Sequence, residues 1–288
     1  MTVTVTARQG AATRERIVAD LRALGVRPGQ TLLVHAALSQ IGWVDGGAPA
    51  VVAALREAIG ADGTLVAGAG TPENSRTSRA FRSGVGGLTK AQNDEFLRRM
   101  PAFDRKSTPT SVGAVAEAVR TTPGAVRSAH PQSSFSAVGR QARSLMAGHQ
   151  LNCHLGEDSP LGKLYRQDAS ILLLGSLYHS CSAFHLAEYR YTKRPPLRNY
   201  TCVVMANGKR RWRRYQDVVL DDSEFDIIGK DLEAQLTVLS GHVGNAESRL
   251  ISLRQAVDFA VKWIGDRRGN PGPLRGRDLS NAGRSRIQ

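Results

Sequence analysis

The sequence predicts an α/β protein: a three-layer α/β/α sandwich with a mixed central sheet and an antiparallel hairpin. Helix-like and strand-like segments alternate along most of the 288 residues, which is the pattern of a sheet covered by helices. Runs such as "TLLVHAAL" and "ASILLLGS" are short and almost wholly apolar, as buried strands are. One longer pair, "RNYTCVVMANGKRRWRRYQDVVL", carries the turn dipeptide Asn207-Gly208 and reads as a hairpin. The length suits a single domain over 1–265, followed by a basic tail over 266–288.

Each element has a local reason. Ile17, Val18, Leu21 and Leu24 recur at helical spacing over 13–24, and Gly25 ends that helix. "APAVVAALREAIG" places Pro49 in a first helical turn and Gly60 at the stop. "DGTLVAGAG" is a turn followed by a buried strand. Residues 70–110 then lose periodicity, apart from a helical piece around "KAQNDEFLRRM", so they read as a long functional loop. "SVGAVAEAVRTTPG" is a helix closed by Pro123-Gly124. Two short extended pieces flank the His-Pro of "AVRSAHPQSSFSAVG", and "RQARSLMAG" follows as a helix. Ser159 and Pro160 open another helix, "SPLGKLYRQ". After the hairpin, "SEFDIIGKDLEAQL" and "LRQAVDFAVKWIG" are amphipathic helices.

Composition narrows the class. No apolar stretch approaches the ~20 residues of a membrane span, and the first residues lack a secretory pattern, so a cytoplasmic protein with no membrane partner is expected. Cys153, Cys181 and Cys202 are odd in number and form no CxxC pair, which fits a reducing compartment. The net charge is +14, and the tail from Asp266 holds six arginines against two aspartates. "KRRWRR" at 209–214 reads either as a solvated hairpin strand or as a contact for a polyanion such as cofactor phosphates. No nucleic-acid-binding motif accompanies the charge, so nucleic acid is not expected as a partner.

The chemistry-bearing stretch is "YHSCSAFHLAEYR", residues 178–190. His185 and Glu188 stand at i, i+3 and share a helix face. Two readings are open at that spacing: a general base oriented by a carboxylate, or a core histidine beside a surface glutamate. His179 is a second partner for Glu188 if the helix begins late. A metal is not expected, because His149 and His154 are five apart, no HExxH occurs, and the pair lacks a third ligand. Cys181 lies in nothing resembling a nucleophile elbow. "SGVGGL" at 83–88 is neither a dinucleotide fingerprint nor a P-loop.

Several stretches together resemble the aminoglycoside 3-N-acetyltransferase family, acetyl-CoA-dependent antibiotic-resistance enzymes distinct from the GNAT acetyltransferases. They are "LLVHAALSQIGWVDGG", "TPTSVGAVAEAVRTTPGAVRSAHPQSSFSAVG", "LGEDSPLGKLY", "LLLGSLYHSCSAFHLAEYR" and "GHVGNAESRLISLRQAVDFAVKWI", in family order over about residues 12–265. The resemblance implies that acetyl-CoA and an aminoglycoside bind together, and that the 3-amino group of the 2-deoxystreptamine ring attacks the thioester directly. It assigns His185 as base and Glu188 as its orienter, and puts His130, with Ser133 and Ser134, near the thioester. It assigns the first loop, His35, Ala36, Ala37, Leu38, Ser39 and Gly42, to coenzyme A, joined by Thr110, Ser111, Gly113 and Ser133.

The family often carries Pro-Thr after the "GTLV" strand, where this chain reads "GTLVAGAGTPENS". A polycationic acceptor calls for carboxylates, and the expected ones are Glu73, Asp104, Glu157, Asp158, Glu224 and Asp226, with Asp94, Glu95 and the rest of "DDSEFD" as further candidates. Rival readings are the same scaffold acetylating another amine, or a catalytically silent member that binds an anion or nucleic acid through its basic surface. Either a monomer or a homodimer is compatible with the sequence.

Overall fold

A computed structural model describes residues 12–269. Helix α1 (Arg14–Leu24) starts at Thr13, whose Oγ1 accepts from the Arg16 N–H, and ends at Gly25 with φ 109°. Strand β1 (Thr31–Ala36), the four-residue α2 (Leu38–Ile41), α3 (Gly47–Ile59) and β2 (Thr64–Gly68) follow. The 70–110 segment is more structured than the sequence suggests. It holds α4 (Arg79–Val85) as well as α5 (Lys90–Arg99), the latter opened by a Thr89/Gln92 capping box. Next come α6 (Ala114–Thr121), β3 (Val126–Arg127), β4 (Phe135–Gly139), α7 (Ala142–Met146), α8 (Pro160–Arg166), β5 (Ser170–Leu174) and α9 (Phe184–Arg190). The chain finishes with β6 (Leu197–Ala206), β7 (Lys209–Val218), α10 (Phe225–Gln235), β8 (Leu239–Val243), β9 (Ala246–Ser252) and α11 (Leu253–Arg268).

The central sheet has seven strands in the order β3-β4-β2-β1-β5-β9-β8. It is mixed: β1 runs parallel to β2 and β5, and the remaining pairings are antiparallel. Alternate residues feed two cores. Leu32, Val34, Leu65 and Leu172 pack with residues of α1, α3 and α6, while Leu33, Val66, Ile171 and Leu173 pack with residues of α7 to α11. These are the three layers the sequence predicts.

Strands β8 and β9 escape sequence reading because most of β8 is exposed and offers no apolar run. The β6–β7 hairpin forms at Asn207-Gly208, both with positive φ as a primed turn requires, but it stands apart as its own two-stranded sheet. Asn74 docks the 70–110 segment on it, donating to Val203 O at 2.9 Å and accepting from Val203 N at 2.8 Å. Helix α11 runs through the expected domain end at 265 to Arg268, and residues 270–288 of the basic tail lie outside the described residues. Among the described residues no helix is long and apolar enough to cross a membrane.

Candidate active site

A cleft of about 460 Å³ opens at the carboxyl ends of the parallel strands. The chain leaves β1 for β2 on one side and returns to β5 on the other, so β1 marks the switch point where open α/β sheets bind ligands. The walls include His35 and Ala36 from the end of β1, Gly68 and Gly70 after β2, the turn Gln132–Phe135, Ser176 after β5, and Ser182 and His185.

Helix α9 enters this cleft because its apolar face is fixed. Phe184 is fully buried, stacked on Tyr178 and edge-on to Phe225. Tyr178 in turn packs over Gly229 of α10, where a Cβ would come within 1.9 Å of the ring. One residue on, His185 faces the cleft, and one turn on, Glu188 lies 1% exposed beneath it. His185 Nδ1 and Glu188 Oε2 are 2.7 Å apart. A carboxylate only accepts, so Nδ1 carries the proton in this pair and Nε2 is left with a lone pair. Glu188 Oε1 accepts from the Asp221 backbone N–H at 2.8 Å. Across the cleft, desolvation pulls His35 down to about 4, so that ring is neutral at physiological pH. Its Nε2 lies 3.5 Å from Ser182 Oγ.

His130 lies behind the cleft wall, not on it. It is fully buried, and its Nδ1 accepts from the backbone N–H groups of Gln132 and Ser133, both at 3.1 Å. Its proton therefore sits on Nε2 and is donated to Leu151 O at 3.1 Å. With both nitrogens engaged and burial holding the ring well below its ordinary range, His130 shapes the turn that delivers Ser133 to the cleft. Ser133 Oγ itself donates to His154 O at 2.9 Å.

Behind that turn lies a polar network that sequence reading missed. His154 Nδ1 is 2.6 Å from Asp217 Oδ2, and its Nε2 is within 2.9 Å of both Gln132 Oε1 and the Tyr215 hydroxyl. Asp217 also accepts from the Tyr189 hydroxyl at 2.8 Å, and from the backbone N–H groups of His154 at 2.6 Å and Val218 at 2.8 Å. His149 bridges Ser128 Oγ to the carbonyls of Cys153 and His154. His154 is 63 residues from Asp217 and 61 from Tyr215, and the docking of the hairpin on the central domain makes these two links, whereas His149 joins Ser128, Cys153 and His154 without it.

Residues 33–265 match the family described as aminoglycoside 3-N-acetyltransferase. The chain belongs to this family. It is 39% identical over 255 residues to the SPbeta prophage-derived aminoglycoside N(3')-acetyltransferase-like protein YokD of Bacillus subtilis, covering 88% of this chain and 92% of that protein. The crystal structure of YokD superposes with a TM-score of 0.85 at 38% identity, covering 91% of this chain and 96% of that one. Aminoglycoside N(3)-acetyltransferase VII of Streptomyces paromomycinus is 35% identical over 277 residues, covering 90% and 94%. A solved binary complex of AAC-IIIb with CoASH gives a TM-score of 0.79 at 29% identity, covering 92% and 100%.

Within this acetyltransferase fold the expected coenzyme A residues divide. His35, Ala36 and Ser133 line the cleft. Ala37, Leu38, Ser39 and Gly42 do not, and the Ala37 N–H is engaged by Leu174 O at 2.9 Å. Thr110 is likewise engaged, its N–H by Glu117 at 3.0 Å and its hydroxyl by Gly70 O at 2.7 Å. Thr110 and Ser111 line a neighbouring, mainly apolar depression of about 380 Å³, and Gly113 begins α6 beside Ala36. Val112, unnamed in the sequence reading, is the residue of this segment that reaches the cleft.

The expected acidic lining is mostly elsewhere. Glu73 faces the neighbouring depression. Asp104 caps its own loop through Lys106 N, Ser107 N and the Ser107 hydroxyl, which hold its carboxyl below the usual range. Glu157 is paired with Arg190 at 2.5 and 3.0 Å, and Glu224 with Arg268 at 2.7 and 3.1 Å. Asp226 accepts from the His179 backbone N–H at 2.7 Å and lies 3.4 Å from its ring Nδ1, so the His179 side chain faces Asp226 while Glu188 pairs with His185. Exposed Asp158 and helical Asp94 and Glu95 line neither cavity, and Asp222 of the "DDSEFD" run is the carboxylate at the cleft. Among the described residues no group of three His, Cys, Asp or Glu side chains is placed to hold a metal. Cys181 is buried and its thiol is pushed up to about 12, which makes it inert as a nucleophile.

Proposed function

We propose that the chain is an acetyl-CoA-dependent N-acetyltransferase that acetylates the 3-amino group of the 2-deoxystreptamine ring of aminoglycosides by direct attack. The observation that carries this reading is the His185–Glu188 pair at 2.7 Å with His185 facing the cleft. The amine nitrogen attacks the acetyl carbonyl carbon of the thioester, and the C–N bond forms as the carbonyl electrons move to oxygen. His185 Nε2 takes the proton released from nitrogen, while Glu188 stabilises the imidazolium. Collapse breaks the C–S bond, and the departing coenzyme A thiolate recovers that proton. His35, neutral across the cleft, adds no second positive charge to oppose the imidazolium. The apolar wall of Val112, Val115, Phe135 and Leu155 suits the pantetheine arm.

The scarcity of free carboxylates supports a second reading, the same transfer to an amine with fewer positive charges than an aminoglycoside. Among the described residues, Asp222 is the carboxylate that lines the cleft and Glu73 the one that lines its neighbour, on a chain of net charge +14. A thiol-release assay with acetyl-CoA across an aminoglycoside panel, with the product position read by NMR, separates the two. Release with acetylation at the 3-amino group is expected. Release only with monoamines would move the assignment to the second reading, and no release with any amine would overturn both.

A further inference from the structure

One buried contact has no part in that proton transfer. Glu188 uses Oε2 on His185, while Oε1 faces Arg268 Nη1 at 3.3 Å. Arg268 is the last residue of α11 and lies in the stretch that the sequence reads as a basic tail, 266–288. Its Nε and Nη2 both donate to Glu224 Oε2, and Nη2 is 3.6 Å from Asp221 Oδ2. One guanidinium therefore serves three carboxylates, on α9, on the segment after β7, and at the start of α10.

We propose that Arg268 is a positioning residue for the His185–Glu188 pair: it fixes the carboxylate under the imidazole, and its sharing with Glu224 sets how much negative charge the imidazole meets. This rests on His185 being the base. The neighbouring charges make the direction definite. Asp221 and Asp222 face the pair from the segment after β7, with Arg79 3.9 Å from Asp222. Glu224 faces it from α10, and Arg267, 3.7 Å from Glu224, lies beside Arg268 on α11. His35 faces it from β1 and is neutral, and burial keeps the Tyr191 and Tyr200 phenols neutral. A carboxylate favours the imidazolium and a guanidinium opposes it.

The test is the pH dependence of kcat/KM together with an NMR titration of the His185 ring, in the full chain. Arg268→Gln removes a cation, so both the acid limb and the ring titration are expected to move up by roughly half to one pH unit, an activity loss near the limb of about 3- to 10-fold. Glu224→Gln removes a carboxylate and leaves Arg268 to Glu188 and Asp221, so it is expected to move both down. Arg268→Lys keeps the charge and is expected to return both toward wild type. A shared packing defect cannot move two neighbouring variants in opposite directions. If both variants shift the ring the same way, or neither shifts it, the clamp is wrong. If the ring shifts as stated and the rate limb stays put, the clamp stands and His185 is not the base.

Discussion

Two histidine–carboxylate pairs among the described residues have nearly equal lengths, 2.7 Å for the partly buried His185–Glu188 and 2.6 Å for the buried His154–Asp217. They differ at the other nitrogen. His154 Nε2 is held by Gln132 and Tyr215, inside a network that knits the hairpin to the central domain. His185 Nε2 has no protein partner among the described residues, and the ring borders the cleft. A carboxylate on one ring nitrogen is thus no signature of catalysis. The free second nitrogen on a ligand-sized cavity is what lets a pair move a proton to a substrate.

The strongest way to break this comparison is to remove each pair in turn. His185→Ala is expected to lower kcat by about 10²- to 10⁴-fold, the usual contribution of general base catalysis, with the urea midpoint close to wild type. Wild-type turnover in that variant would sink the base assignment. Asp217→Ala is expected to do the opposite. It strands His154, Tyr189 and two backbone N–H groups in the interior, so unfolding free energy should fall by about 3–5 kcal/mol. A stability loss below about 1 kcal/mol there would mean the network is not structural.

Acid titration sharpens the same contrast. Burial lowers both His35 and His149 from 6.5 to about 4. Below 6.5 the unfolded chain binds protons that the folded chain refuses, so stability is complete above that pH and declines as pH falls toward 4. At pH 5 the nearly fully buried His149 alone accounts for about 2 kcal/mol. The urea midpoint should therefore drop between pH 7 and 5, and His149→Gln should flatten the slope. A flat wild-type profile would contradict the burial of these rings.

The sequence made one pair legible and hid the other for a geometric reason. His185 and Glu188 meet through helical spacing, which is local, and the family motifs around "FHLAE" singled them out. His154 and Asp217 meet only because the hairpin folds back, and nothing in either segment anticipates that. The same limit applies to the surroundings of His130. A histidine beside serines reads as reactive until the backbone N–H groups at its Nδ1 are seen. The strands of the parallel core were readable from apolar runs, whereas β8 was not, because only its last residue, Val243, is buried. Acidic residues were the least legible of all, since a carboxylate's partner is a tertiary fact.

Glu157 is the case in which that last point has the smallest measurable effect. It lies in the turn before α8, held by Arg190 of α9 and 3.5 Å from Arg166, and its side chain is 50% exposed. An ion pair in water is screened and costs side-chain freedom to form, so it contributes about 0–1 kcal/mol. Glu157→Gln should accordingly shift the unfolding midpoint only slightly and leave the acceptor KM unchanged. Asp222→Asn, which neutralises the carboxylate at the cleft, should raise the acceptor KM several-fold with kcat retained, a loss of about 1 kcal/mol of binding. Steady-state titration of the acceptor at saturating acetyl-CoA measures both. A larger KM effect from Glu157 than from Asp222 would move the acceptor site out of the cleft, and the pair at His185 would then need a different substrate.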